Sequence, residues 1–345
     1  MVKVTDHPLR YELANELHAR PFPTLSAPST AIFVALKPPE NAAARDKEAD
    51  LAHLVALLDR HGATHPRPGA THYSGRIGRH MLKWEQHTEF VTYTALIEGG
   101  GGRPFEPSDV TVFPAEWLGT GPGDLMTSVM VRVAEHTGDA AILKALEDWF
   151  VPESLAVSRV LDDAAVIAGD FRIDPSGNTR FAVFAPPSTG QRRLGRIVQR
   201  LCEIETYKAM SMLGFARARG IAPEIGRMET QMTDLMREMT DDHHPAEDTL
   251  TRLLQVSAEL ETLAAAASFR FGATGAYEAI VDQRIEALRE ERFEGRQTFR
   301  EFMMRRYEPA MRTVKSTETR LERLADRAMR TGDLLRTRVD VERSA

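Results

Sequence analysis

Three side chains with metal-ligand chemistry alternate in one short run: Glu85, His87 and Glu89. On a continuous strand, residues two apart share a face. Two carboxylates and an imidazole so placed suit Zn²⁺ or Mn²⁺. The competing reading is a turn at Glu85-Gln86-His87-Thr88 between two strands, its polar side chains solvated. A second concentration of oxygen and imidazole ligands is Asp241-Asp242-His243-His244, followed by Glu247 and Asp248. Asp241, His243 and His244 could hold a divalent cation. The same residues, standing before Pro245, also fit a simple helix start with acidic groups near the positive end of the helix dipole. His18 and Arg20, which precede Pro21, could bind an anion together with Lys83, or could tie an N-terminal arm to Glu85 or Glu89 through charged hydrogen bonds.

Other chemistry is thinly represented. The single cysteine, Cys202, excludes an internal disulfide and a cysteine-based zinc cluster, and its apolar helical neighbours Leu194, Ile197, Leu201 and Ile204 read it as a small buried hydrophobe. No Gly-x-Ser-x-Gly elbow points to a nucleophilic triad. The glycines at 99–102 lack the strand, the helix and the Lys-Ser/Thr of a phosphate loop. Met228, Met232, Leu235, Met236 and Met239 have helical spacing and read as packing. No catalytic residue is assigned, and the reading leans away from an enzyme.

The elements that must position these residues divide the chain. Thr30–Leu36 reads as a buried strand and 42–60 as an amphipathic helix ended by Gly62. Two or three antiparallel strands are expected within 70–97. A strand follows at 125–134, a helix at 139–150, and strands at 155–160, 164–170 and 179–184. Strands clustered with few helices between them predict an α+β fold with a mixed or antiparallel sheet. Pro186-Pro187-Ser188-Thr189-Gly190 marks the boundary, giving a domain over 1–188 and a long-helix domain and stalk over 190–345. There the period changes to 3.6. Helices are expected over 191–219, closed by Gly220 and Pro223, then 224–240, 246–271 and 277–306. Pro309 should interrupt the last, and the stalk runs over 310–345. Tyr307, Val314, Leu321, Ala328 and Leu335 recur every seven residues, a narrow apolar seam that calls for a partner helix, either the chain's own or a second copy's.

Composition is that of a folded, soluble chain: 42% hydrophobic and 27% charged over 345 residues. No run approaches a membrane span or a signal peptide. The net charge of −6 is carried by the first half, whereas residues 296–345 hold 13 Lys+Arg against 8 Asp+Glu. Mixed signs there argue against nucleic-acid binding.

Several runs together carry a resemblance: His7-Pro8-Leu9-Arg10, Glu16-Leu17-His18-Ala19-Arg20-Pro21, Lys83-Trp84-Glu85-Gln86-His87-Thr88-Glu89-Phe90, Gly169-Asp170-Phe171-Arg172, Glu203-Ile204-Glu205-Thr206-Tyr207 and residues 332–340. Across essentially the whole chain it resembles an uncharacterised family of proteobacterial membrane-anchored proteins, a domain of unknown function. The resemblance implies a C-terminal hydrophobic anchor beyond the last residue here and a place on the cytoplasmic side of the inner membrane. The plan of an α/β domain followed by long helices is also similar to the cytoplasmic part of CorA-type magnesium channels, an analogy of architecture. The expected function is a membrane-anchored homo-oligomer that senses or regulates, linked to divalent-cation transport, with a divalent cation as the one cofactor considered. The alternatives are a membrane-associated scaffold for a protein partner or a metal-dependent hydrolase.

Overall fold

The computed structural model describes residues 5–16, 22–40, 42–99, 102–240 and 244–344. The protein is α+β. Its first elements are α1 (Arg10–Glu16), β1 (Ser29–Lys37), α2 (Lys47–Arg60), β2 (His72–Ile77), β3 (His80–Gln86) and β4 (Val91–Glu98). Next come α3 (Ala115–Leu118), β5 (Asp124–Glu135), α4 (Asp139–Trp149), β6 (Ala156–Val160), β7 (Ala165–Ile173) and β8 (Thr179–Ala185). The remainder is α5 (Gln191–Glu238), α6 (Ala246–Glu286), β9 (Glu291–Arg292), α7 (Phe299–Arg306) and α8 (Glu308–Ser344).

The strands form one mixed sheet in the order β2-β3-β4-β1-β5-β8-β7-β6-β9. All its pairs are antiparallel except β5 with β8. At its centre, β1 is buried at all nine positions, as the β-branched and apolar run Ser-Thr-Ala-Ile-Phe-Val-Ala-Leu requires. Alternation sends Ile32, Val34 and Leu36 to one face, where they pack with Leu54, Leu57 and Leu58 of α2, Trp117 of α3 and Leu146 of α4. Phe33 points to the opposite face. Lys83, Thr94, Phe33, Val129 and Thr179 form one cross-strand row there. The start of α5 covers this face: Gln199 accepts from Lys83 Nζ at 3.0 Å, and Glu205 accepts from Thr179 Oγ1 at 3.3 Å. Gly195 lets the coil at Pro23 lie against α5, because a Cβ on it would stand 1.6 Å from the Pro23 carbonyl oxygen.

Two compact units divide the chain: Met1–Thr206 with Gln283–Phe302, and Tyr207–Asp282 with Met303–Ala345. The Pro-rich segment 186–190 joins β8 to α5 within the first unit.

Three expectations for the helices are corrected, the first being the gap between 271 and 277, which α6 crosses as one helix from Ala246 to Glu286. Pro223 was to separate 191–219 from 224–240, yet α5 runs unbroken over 48 residues with Pro223 inside it. An interior proline costs about 3 kcal/mol. Ala218, Ile221, Ile225, Met228, Met232 and Leu235 stay in helical register across it and are all buried, which outweighs that cost. The span 277–306 is not one helix. α6 ends at Glu286, and β9, a strand inside a region expected to be wholly helical, pairs with β6 before α7 begins. Phe293 and Leu288 are fully buried there, and Gln297 bonds Leu155 and Val157 at the sheet edge. Thr298-Phe299-Arg300-Glu301 then forms a reciprocal capping box: Thr298 Oγ1 accepts from Glu301 N at 3.2 Å, and Glu301 accepts from Thr298 N at 3.0 Å.

In the helical unit, the seam of Tyr307, Val314, Leu321, Ala328 and Leu335 is buried throughout, and the expected interruption at Pro309 appears as the break at Tyr307 between α7 and α8. The neighbours are α5 and α6 of the same chain. Tyr307 Oη meets Ser211 Oγ at 2.7 Å, Arg320 pairs with Glu229, and Arg343 pairs with Glu247. Gly214 brings α5 close to α6; a Cβ there would stand 2.1 Å from Thr274 Oγ1. Gly220, six residues on, has nothing within 4 Å of that position. Gly214→Ala should therefore lower stability by about 1–3 kcal/mol through overpacking. Gly220→Ala should raise it by about 0.5–1 kcal/mol through helix propensity. Chemical denaturation of the two variants checks the opposite signs.

Candidate functional site

Two of the runs that carried the resemblance meet on the α5 face of the sheet. Lys83 and Glu85, both on β3 and facing α5, form an ion pair at 3.1 Å with side chains only 11% and 14% exposed. Lys83 also donates to Gln199 Oε1, whose amide donates to Glu203 Oε1 at 2.7 Å, and Glu203 is paired with Arg284 near the end of α6. A continuous polar seam thus crosses from β3 to α5 to α6. Charges taken from water need such pairing, since an isolated ion in an apolar interior costs several kcal/mol even after relaxation. Cys202 lies buried beside the seam, and desolvation pushes its thiol far above the ordinary value, so it stays a packing thiol.

The β3–β4 turn is built differently from a solvated hairpin. Arg45 and Asp50 form a buried ion pair at 2.8 Å. The Arg45 guanidinium then donates to the carbonyls of His87, Thr88 and Phe90, while Gln86 Nε2 donates to Asp50 at 3.0 Å. Within this frame Glu85 stands opposite Thr92, and His87 stacks on Phe90 with its Nε2 3.4 Å from Thr92 Oγ1. Glu89 is 1% exposed. The three candidate ligands therefore gather around one turn, but a cation there would have to draw Glu85 from Lys83. Among the described residues, no three His, Cys, Asp or Glu side chains are grouped so as to hold a metal ion. His244 lies exposed just before α6; Asp241 and His243, and likewise His18 and Arg20, are outside the described residues.

On the opposite face, His53 is held by both ring nitrogens. Nε2 lies 2.9 Å from the Trp117 carbonyl and must donate, so Nδ1, 2.9 Å from Tyr93 Oη, accepts the phenol proton. Trp117 Nε1 donates back to the His53 carbonyl, and the two rings stack at 4.1 Å. This arrangement requires neutral imidazole, and burial lowers the His53 pKa accordingly.

The run Gly169–Arg172 forms a bulge where the β7–β8 register shifts. Phe171 there adopts φ 55°, rare for a bulky residue. Its ring stacks on Phe302 at 4.3 Å, and Asp170, fully buried, accepts from Val151 N and Arg172 N at 3.1 Å each. Arg180 lies 3.5 Å from Asp170 and spans the rings of Phe105 and Phe150. Sequence reasoning passed over Arg45, Asp50 and His53. The signal for the last two was present: polar residues in phase with Leu54 and Leu57 on a helix that buries that face.

A mixed sheet covered by helices, with ionisable groups on both faces tied to neighbours, defines an α+β protein. The chain belongs to the family described as "Protein of unknown function (DUF3422)", which it matches over residues 5–345. No curated protein and no solved structure matches it.

Two outcomes are expected of the buried groups. Asp50→Ala strands the Arg45 guanidinium and should cost about 3–5 kcal/mol of unfolding free energy, measured by denaturant titration. His53 has a folded pKa below its unfolded value of 6.5. Its contribution is therefore complete above that pH and is lost as pH falls below it, where the unfolded chain takes up a proton that the fold refuses. The slope is at most about 1.4 kcal/mol per pH unit. His80, shifted in the same direction, adds to it. His53→Gln should flatten the decline between neutral and mildly acidic pH without abolishing it.

Proposed function

We propose that the protein is a non-catalytic regulatory body, which senses or transmits a state at the cytoplasmic side of the inner membrane. In this reading it is an anchored homo-oligomer, held by a hydrophobic segment beyond Ala345 and linked to divalent-cation transport. The observation that carries the reading is the polar seam Lys83–Gln199–Glu203–Arg284. It couples the sheet to α5 through paired charges, and a switch built on it would work by exchanging those partners. The basic excess of residues 296–345 supports an anchor on the cytoplasmic side, since basic flanks remain inside. Among the described residues no helix is long and apolar enough to cross a membrane. With the α8 seam covered by α5 and α6, oligomer contacts fall to other surfaces.

A scaffold for a protein partner is the second reading. It is favoured by an apolar groove of about 260 Å³ between α6 and α8, flanked by the exposed side chains of Leu254 and Met329.

Membrane vesicles with and without the full-length gene product, and with its Lys83→Met variant, separate the two. Divalent-cation flux that depends on the protein and changes with Lys83→Met is the expected outcome. Identical flux in all three removes the transport link.

A further inference from the structure

A second groove, of about 500 Å³, opens between α5 and α8 within the helical unit, at the start of α8. Its lining is cationic. Arg312, Ser316 and Arg320 are spaced four apart on α8 and share one face, and Arg219 enters from α5. Ala218 and Ala222 form the α5 wall, so small side chains leave the space between the guanidinium groups open. Arg320 is committed: its guanidinium grips Glu229 through two bonds of 3.1 and 2.6 Å and closes one end of the groove. The other two are not. Arg219 lies over the Phe215 ring at 5.7 Å, and among the described residues neither Arg219 nor Arg312 has a carboxylate in ion-pair range. Both are exposed.

Three guanidinium groups line one concavity, and only Arg320 has its carboxylate, Glu229 at the end wall, so Arg219 and Arg312 bring two positive charges with no ion-pair partner among the described residues. Arginine presents a planar fork of donors that matches the oxygens of a phosphate better than a lone carboxylate's single charge would use it. The volume exceeds one phosphate and falls in the range of small-molecule sites. We propose that this groove binds a phosphate-bearing ligand of at least two negative charges. Arg219 and Arg312 clasp the phosphate, Ser316 donates a hydroxyl to it, and the Arg320–Glu229 pair fixes the end wall. The shared chemistry is a phosphate group with a substituent, either the headgroup of an anionic phospholipid or a soluble polyphosphate. The inference stands apart from the regulatory reading, and a result in the flux measurement does not decide it.

The test uses the full chain and two probes: inorganic pyrophosphate by calorimetry, and vesicles containing phosphatidic acid by co-sedimentation. Wild type should bind at least one. Binding to pyrophosphate assigns a soluble ligand, and binding to the vesicles alone assigns a lipid headgroup. Arg219→Gln with Arg312→Gln should weaken that binding about tenfold or more, the loss expected for two charge-assisted bonds. Arg323→Gln with Arg330→Gln removes the same charge from exposed positions of α8 outside the groove and should leave binding unchanged. Arg219→Lys with Arg312→Lys keeps the charge but loses the fork; it should also bind more weakly, and it decides the matter if the glutamine pair fails to fold. No binding of either probe by wild type overturns the proposal. So does equal binding by both groove variants, or an equal loss in the Arg323/Arg330 variant, which would reduce the effect to net charge.

Discussion

Both faces of one mixed sheet have to be covered, and the sheet unit follows from that constraint. The central strand exposes none of its nine residues, so neither face can meet water. An antiparallel sheet often leaves one face solvated. Here, helices α2, α3 and α4 close one side and the first turns of α5 the other. Polar side chains that the alternation sends inward are thereby pressed to find partners, although Ser29 Oγ and Thr127 Oγ1 remain without one among the described residues. Lys83 finds Glu85 and Gln199, and Thr179 finds Glu205. On the far face His53 is reduced to its neutral tautomer between Tyr93 and Trp117. The polar seam and the histidine box are thus two answers to one desolvation cost: the first keeps charge and pairs it, the second gives charge up.

How far this was legible in the sequence depended on whether the signal was local. Strands such as Thr30–Leu36 and 179–184 were legible because apolar and β-branched runs act over a few positions. The unbroken α5 was not, because the local cost of Pro223 is set against burial of residues on either side of it. The segment 287–298 read as helix because no proline interrupts its polar run; its conformation is imposed by the edge of β6. Arg45 bonds carbonyls more than forty residues away, a pairing no local pattern announces. The heptad seam on α8 was legible in spacing but mute on whose helix would fill it, since a narrow apolar stripe specifies a neighbour and not the chain that supplies it.

Strained backbone occurs in the β6–β7 turn and at the bulge in β7. Leu161, Asp162 and Asp163 all take positive φ in the β6–β7 turn. The turn is held from outside: Leu161 N donates to the Leu288 carbonyl, and Arg159 and Arg289 pair with Asp163 and Asp162. Phe171 is held in the same way by the aromatic rings around it. In each case the neighbours over-determine a conformation the residue would avoid alone.

The two edges of the sheet are unequal. Beyond β6 lies only the two-residue β9 with its stitched flank, while β2 ends the other side with six residues. Among the described residues, only the β2 side offers a long strand edge to a strand from outside. Were two copies to join there, β2 against β2, each would use up the one long edge that its described strands leave. Growth by strand addition would stop at a closed pair and could not run on into a fibre.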